Sequence, residues 1–265
     1  MSPIAICAIF KNEAPYLLEW IAFHKMIGVD HFYLYDNGSD DGGTELIRNS
    51  VFADSLTVID WPQRPGQFTA YADCISRYAA QCSWMGFIDL DEFIHPLEGN
   101  SLRAILQDPR YDAYSEILIF WMLFGSSGYQ ERPEGLVLEN YRQRLPGESE
   151  VNGHVKTIAR GPALLGAGTT PHIFPTTGLA CDPTGAPAVK HALQPRPVHK
   201  VMTLHHYFTK SRADWEAKLR RGKADEKLVT DNPYPSSRIH DVDNQIQVSD
   251  TRIARFIPRL RWVLR

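Results

Sequence analysis

The chain reads as an α/β protein built on a mixed, mainly parallel sheet flanked by helices. Three observations point there. Four short apolar runs fall within the first ninety-six or so positions, and segments of helical periodicity separate them. That alternation means parallel strands joined by crossover helices. Each of the first, second and fourth runs ends abruptly in polar or acidic residues, as strands do at the ligand-binding edge of an open sheet. The chain has 265 residues, enough for one large α/β domain, and its apolar content is ordinary for a globular protein.

The elements follow in order. Ile4 to Phe10 is a buried strand that stops at Lys11-Asn12-Glu13. Pro15, favoured in a first helical turn, opens a helix over Tyr16 to Met26, with Gly28 as its stop. His31 to Tyr35 is an aromatic strand running into the turn-rich Asp36 to Gly43 loop, where Asp40 and Asp41 suit turn formation. A short helix over Thr44 to Asn49, a strand over Leu56 to Asp60 and a helix over Gln67 to Gln81 lead to Trp84 to Pro96, the fourth strand. Beyond it the pattern loosens. A helix is expected at Leu102 to Gln107 and a strongly apolar strand within Ala113 to Phe124. Weaker strands are expected at Leu136 to Arg144 and Val155 to Arg160. Residues 161–197, rich in Gly, Pro, Thr and His, form an irregular loop region. Val201 to Phe208 is a strand, and Ser211 caps a helix from Ala213 to about Ala224, with Lys218, Arg220, Arg221 and Lys223 toward its end. The tail from Arg252 combines apolar residues with five arginines, and Pro258 is expected to interrupt its helix. No repeat or linker divides the chain. It reads as one domain over 1–265, a regular half over 1–96 and an irregular half over 97–265.

Net charge is −3, which provides no basic field for nucleic acid. No run is long enough to span a bilayer, and the N-terminus reads as a strand rather than a signal peptide. Four cysteines without a C-x-x-C pair suit a reducing, cytoplasmic setting.

Trp84 to Pro96, WMGFIDLDEFIHP, carries the strongest chemical signal. An apolar run ends in Asp89, Asp91 and Glu92. Two aspartates two residues apart just past a strand point the same way and repel unless a divalent cation or water lies between them. The competing reading is a solvated loop. Asn12 and Glu13, near a helix start, suit capping as well as a cleft edge. Asp73, in an otherwise apolar helix segment, needs a partner, either a ligand base or Arg77. His205 and His206 alternate across a strand, so one of them can face a cleft.

Taken together, KNE-x-x-x-L-x-E-W (Lys11 to Trp20), Gln67 before A-Y-x-D-C (Ala70 to Cys74) and D-x-D-E-F (Asp89 to Phe93) resemble the GT-A glycosyltransferases, and within them the family-2-like and family-92-like group. W-x-x-F-G-S-S-G (Trp121 to Gly128), H-V-K-T-I (His154 to Ile158) and the stretch from His205 through K-x-x-R-G at Gly222 extend the resemblance over nearly the whole chain. It implies a metal-dependent transferase with a GT-A (Rossmann-like) sheet. Such an enzyme moves a sugar from a nucleotide-diphosphate donor, UDP-linked, to a glycan or lipid-linked hydroxyl acceptor. It implies Mn²⁺ or Mg²⁺ at Asp91, with Asp89 nearby and His206 as a further ligand, and donor contacts from Asn12, Glu13, Asp36, Gln67, Asp73 and Asp89. Lys156, Lys210, Lys218 and Arg221 would neutralise the diphosphate. Glu131, Glu148 and Glu150 are open candidates for the base of an inverting reaction. The Arg-rich C-terminus is either a helix docked on the domain or a peripheral contact with the inner face of a membrane. The alternatives are a nucleotidyltransferase, disfavoured because Lys11-Asn12-Glu13-Ala14 is no Gly-rich loop, and a non-catalytic nucleotide-sugar-binding module.

Overall fold

The computed structural model describes residues 3–222, 224, 238–246 and 248–265. The regular half runs β1 (Ile4–Phe10), α1 (Ala14–Ile27), β2 (His31–Asp36), α2 (Gly43–Arg48), β3 (Leu56–Asp60), α3 (Gln67–Tyr78) and β4 (Trp84–Phe87). All three pairings here are parallel: β1 lies between β2 and β4, and β3 extends the edge beyond β2. β1 is buried at all seven positions because both its faces are covered. Ile4, Ile6, Ala8 and Phe10 enter a core with Leu17, Trp20 and Phe23 of α1. Ala5, Cys7 and Ile9 enter another with Ala70, Tyr71 and Cys74 of α3. The period-2 alternation of the strand thus sorts its side chains between helices on opposite faces.

The second half continues the same sheet. Its elements are β5 (Glu92–Pro96), α4 (Leu102–Leu106), β6 (Tyr114–Phe124), α5 (Val137–Asn140), β7 (Gln143–Arg144), β8 (Val155–Arg160), β9 (Leu179–Cys181), β10 (Pro187–Ala188), β11 (Met202–Tyr207), α6 (Arg212–Arg221), α7 (Arg238–Asp243), β12 (Val248–Ser249) and α8 (Ile257–Val263). β8 lies antiparallel between β4 and β6, so the sheet is mixed. β11 pairs parallel to β6 and antiparallel to β5.

Three expectations are corrected. Trp84 to Pro96 is two strands, not one, broken at residues 88–91. Ile88 and Leu90 stay in the core while the aspartates between and after them turn away from it, and Trp20 Nε1 fixes the break by donating to the carbonyls of Asp89 (3.1 Å) and Glu92 (2.8 Å). The strand expected at Leu136 to Arg144 is a helical turn followed by two strand residues. Glu19 of α1 accepts from the amides of Val137 (2.7 Å) and Leu138 (3.0 Å), and a buried acceptor for those free amides favours a helix start. Pro258 does not interrupt the terminal helix but lies in its first turn, where a missing amide costs nothing. That helix docks on α1: Phe256 and Leu260 are buried, with the Phe23 and Phe256 rings 5.4 Å apart, and Arg261 pairs with Glu139. Lys223, expected at the end of α6, lies outside the described residues. Among the described residues no helix is long and apolar enough to cross a membrane.

Candidate functional site

A cavity of about 200 Å³ opens where β1 and β4 end. Phe10, Lys11 and Glu13 line it from the β1 edge, Asp89 and Asp91 from the β4–β5 break, Lys156 from β8 and His206 from β11. Gln67 at the start of α3 and Lys218, Arg221 and Gly222 at the end of α6 complete the polar wall. Trp121 and His172 close the far side. β11 reaches the β4–β5 break directly, since the Tyr207 amide donates to the Asp91 carbonyl at 2.8 Å.

The carboxylates and cations are paired across this space. Lys218 Nζ lies 2.7 Å from Asp91 Oδ2, and His206 Nε2 lies 3.5 Å from Asp91 Oδ1. Burial pushes the Asp91 carboxyl up, but Lys218 and His206 outweigh it and hold it well below the usual carboxylate range. Burial also lowers the His206 imidazole, leaving it neutral and able to act as a ligand. Lys156 is 1% exposed and sits 2.8 Å from Asp89 Oδ2. Burial alone would lower its ammonium, yet Asp89 and Glu92 raise it above its ordinary value. Gln67 Nε2 donates to Asp89 Oδ1 at 3.3 Å. Arg221 Nη1 donates to the Lys11 carbonyl at 2.8 Å and pairs with Glu13. Glu92 points inward: its Oε2 accepts from the Asp89 amide at 2.9 Å, and burial pushes its carboxyl up to about 8.

The structure therefore brings Glu13, Gln67, Asp89, Asp91, Lys156, His206, Lys218 and Arg221 to one cavity and leaves the other candidates outside it. Asp36 is engaged locally, accepting from the Ser39 amide at 2.8 Å and from the Thr44 hydroxyl. Asp73 accepts from Tyr35 Oη at 2.7 Å and pairs with Arg77, so its partner is protein rather than ligand. Asn12 has left-handed backbone (φ 52°) and accepts from the Asp40 amide. Neither Asn12 nor Glu13 caps α1. Asp41 takes that role, accepting from the Ala14 amide at 2.8 Å. Lys210 lines a neighbouring cavity instead of this one. Glu131, Glu148 and Glu150 are exposed and line neither cavity. Leu145 packs into the core below the 145–151 turn, which leaves Glu148 and Glu150 facing water.

Two lining residues carry no signal in periodicity or spacing. Trp121, on the strand next to β11, packs against the rings of His154, His172 and His206, and its buried Nε1 has no hydrogen-bond partner among the described residues. His172, in the irregular 161–197 region, has its Nδ1 2.8 Å from the Val155 carbonyl. Burial and then Lys156 lower its imidazole to about 4, so it is neutral. Its neighbourhood is rich in turn residues, and only the fold brings it beside Lys156.

The donor set suits a hard divalent cation. Asp91 Oδ1 and His206 Nε2 face each other at 3.5 Å, and His206 Nδ1 and Glu92 Oε1, 4.0 Å apart, are buried without a hydrogen-bond partner among the described residues. No group of three or more acidic, His or Cys side chains is preassembled as a metal cage among the described residues. A magnesium-type ion does not require one, since one or two carboxylates together with substrate phosphates and water complete its shell. The residues fit such an ion.

Residues 2–177 match the model of glycosyltransferase family 92. A glycosyltransferase family 92 protein of Oryza sativa subsp. japonica is 33% identical over 168 residues, covering 61% of this chain and 28% of that protein. A galactan beta-1,4-galactosyltransferase of Arabidopsis thaliana is 28% identical over 130 residues, 45% of this chain and 25% of that protein. The chain thus spans less than a third of the length of these relatives. Among solved structures, S. aureus TarS overlaps 60% of this chain and 47% of its own, at 16% identity and a TM-score of 0.40. The family match covers most of the residues that line the cavity, among them those of the KNE segment, the D-x-D-E-F break, Trp121 and Lys156, while His206, Lys218 and Arg221 lie beyond it. The chain belongs to glycosyltransferase family 92.

Proposed function

We propose that the chain transfers a hexosyl group from a UDP-linked sugar to a glycan hydroxyl, with Mn²⁺ or Mg²⁺ held by Asp91 and His206. The observation that supports this most is the single cavity at the ends of β1 and β4, where Asp89 and Asp91 face Lys156, Lys218 and Arg221. Cations and hydrogen-bond donors fixed in a partly buried site stabilise charge that develops on a departing diphosphate. Lys218 and Arg221, presented from the last turn of α6, are placed for that task. Gln67 and Lys156 orient Asp89 toward the donor. When bound, the ion supplies Lewis-acid polarisation of the phosphate oxygens. Trp121 Nε1 and neutral His172 offer further polar contacts to the sugar side. The galactan galactosyltransferases among its relatives make galactose the first sugar to try and a glycan or lipid-linked polysaccharide the acceptor class. The cytoplasmic setting agrees with four free, buried cysteines. Arg255 and Arg261 of the C-terminal segment are tied to protein groups, while Trp262 is 75% exposed and free for a peripheral membrane contact.

The test is UDP release from UDP-galactose and UDP-glucose by purified protein with Mn²⁺ or Mg²⁺. Release above buffer that stops on adding chelator is expected. Release from neither donor with either ion would overturn the proposal.

A further inference from the structure

A second cavity, of about 390 Å³, lies against the first and shares Lys11, Glu13, Arg64, Lys218 and Arg221 with it. Its own wall adds Arg132, Thr209, Lys210 and Arg220. The two carboxylates that line it are already matched. Asp214 pairs with Arg132 at 2.7 Å and accepts from the Ser211 hydroxyl at 2.6 Å, and Glu13 pairs with Arg221. Lys210 is different. It is 6% exposed, has left-handed backbone (φ 53°), and places its Nζ 4.4 Å from the centroid of the Tyr16 ring. No carboxylate or carbonyl accepts from it among the described residues. Beside it, among the described residues, Thr209 Oγ1 is buried without a hydrogen-bond partner, and so is Arg64 Nη1. A buried ammonium that donates to no anion is costly to hold in its charged form. Glu13, Asp91 and Asp214 raise that ammonium only from beyond hydrogen-bond reach, and burial outweighs them.

We propose that this second cavity binds an anionic group of the acceptor, a phosphate or a carboxylate, while the first cavity holds the donor. The inference rests on the donor reading for its assignment to the acceptor. The shared wall of Glu13, Lys218 and Arg221 sets the two ligands side by side, as a transfer between them requires. An acidic acceptor would also explain why the cavity keeps a surplus of cations that the pairs facing the donor do not consume.

The experiment is calorimetry on protein saturated with UDP and Mg²⁺, titrated separately with inorganic phosphate, with glucuronate, and with galactose as the neutral control. Binding of at least one anion with UDP in place, and none of galactose, is expected. Phosphate alone, or glucuronate alone, identifies which anion the acceptor carries. Lys210→Met should weaken that binding about tenfold or more. Arg220→Ala, an exposed change that leaves the fold intact, should weaken it severalfold without changing UDP affinity. Displacement of the anion by UDP would overturn the proposal, because the cavity would then belong to the donor. Anion affinity unchanged in both variants, or no anion binding by the wild-type protein, would overturn it too. If the wild-type protein binds no UDP, the donor reading fails on its own. Anion binding that is lost in Lys210→Met then upholds an anion site, and its absence overturns both.

Discussion

Trp121 shows how a single atom separates structural from ligand-directed roles. Its indole is packed among three imidazoles, yet its Nε1 donates to nothing among the described residues. Trp121→Phe keeps the ring packing and removes a donor that has no internal partner, so stability should change by less than about 1 kcal/mol. Affinity for a UDP-sugar should fall about tenfold if that donor is reserved for ligand. Denaturant midpoints and calorimetry of the same variant read the two effects apart. Lys156 is the opposite case. It is buried and matched, so Lys156→Met removes one partner of a buried pair and should cost about 3 kcal/mol, read as a lowered denaturant midpoint. The acids of the β4–β5 break were legible as a pair from spacing, but only the other strand-end blocks, taken in order, set a cleft against a solvated loop. Asp36 and Asp73 were not, because a strand-end or helical carboxylate can be satisfied by neighbours such as Thr44 or Tyr35, and only the fold chooses between neighbour and ligand.

At the scale of elements, two devices hold the site. The first is the Trp20 indole, which ties α1 to the β4–β5 break through two carbonyls. Trp20→Phe leaves both carbonyls buried without that donor and should cost about 1–3 kcal/mol. It should also loosen Asp89 and Asp91, which would appear as weaker UDP binding in protein that is still folded by circular dichroism. The second is the Ser211 cap of α6, whose Oγ accepts from the Asp214 amide at 3.1 Å. Ser211→Ala should cost about 0.5–2 kcal/mol, measured by thermal melting. Ser211 was readable as a cap from its place before the helix. The break at residues 88–91 was not, since Ile94 and Phe93 prolong the apolar run past the acids. The turn at 137–140 was also hidden, because its helix-favouring acceptor, Glu19, is more than a hundred residues away in sequence.

At the scale of the whole molecule, one sheet links the ends of β1 and β4 to β11, and buried imidazoles are part of what it encloses. Burial lowers His24 and His95 to about 3, and His24 cannot charge without losing its acceptance from the Ile94 amide. Both groups bind a proton more readily when unfolded, where the ordinary value is about 6.5. Their contribution is therefore fully present above that value and is lost as pH falls from about 6.5 toward 3. The slope is about 1.4 kcal/mol per pH unit for each histidine. The denaturant midpoint should fall between pH 7 and pH 5. The alternation of strands and helices made this architecture legible through β4. The irregular half was less so, since its strands pair with partners far away in the chain, as β11 does with β5 and β6. In the proposed reaction Asp91 holds a divalent ion against a nucleoside diphosphate. Calorimetry of UDP with and without Mn²⁺, for the wild-type protein and Asp91→Asn, reads that role. The ion should strengthen UDP binding by about tenfold or more in the wild-type protein and have no effect in folded Asp91→Asn. Equal UDP affinity with and without Mn²⁺, or an undiminished metal effect in Asp91→Asn, would contradict it.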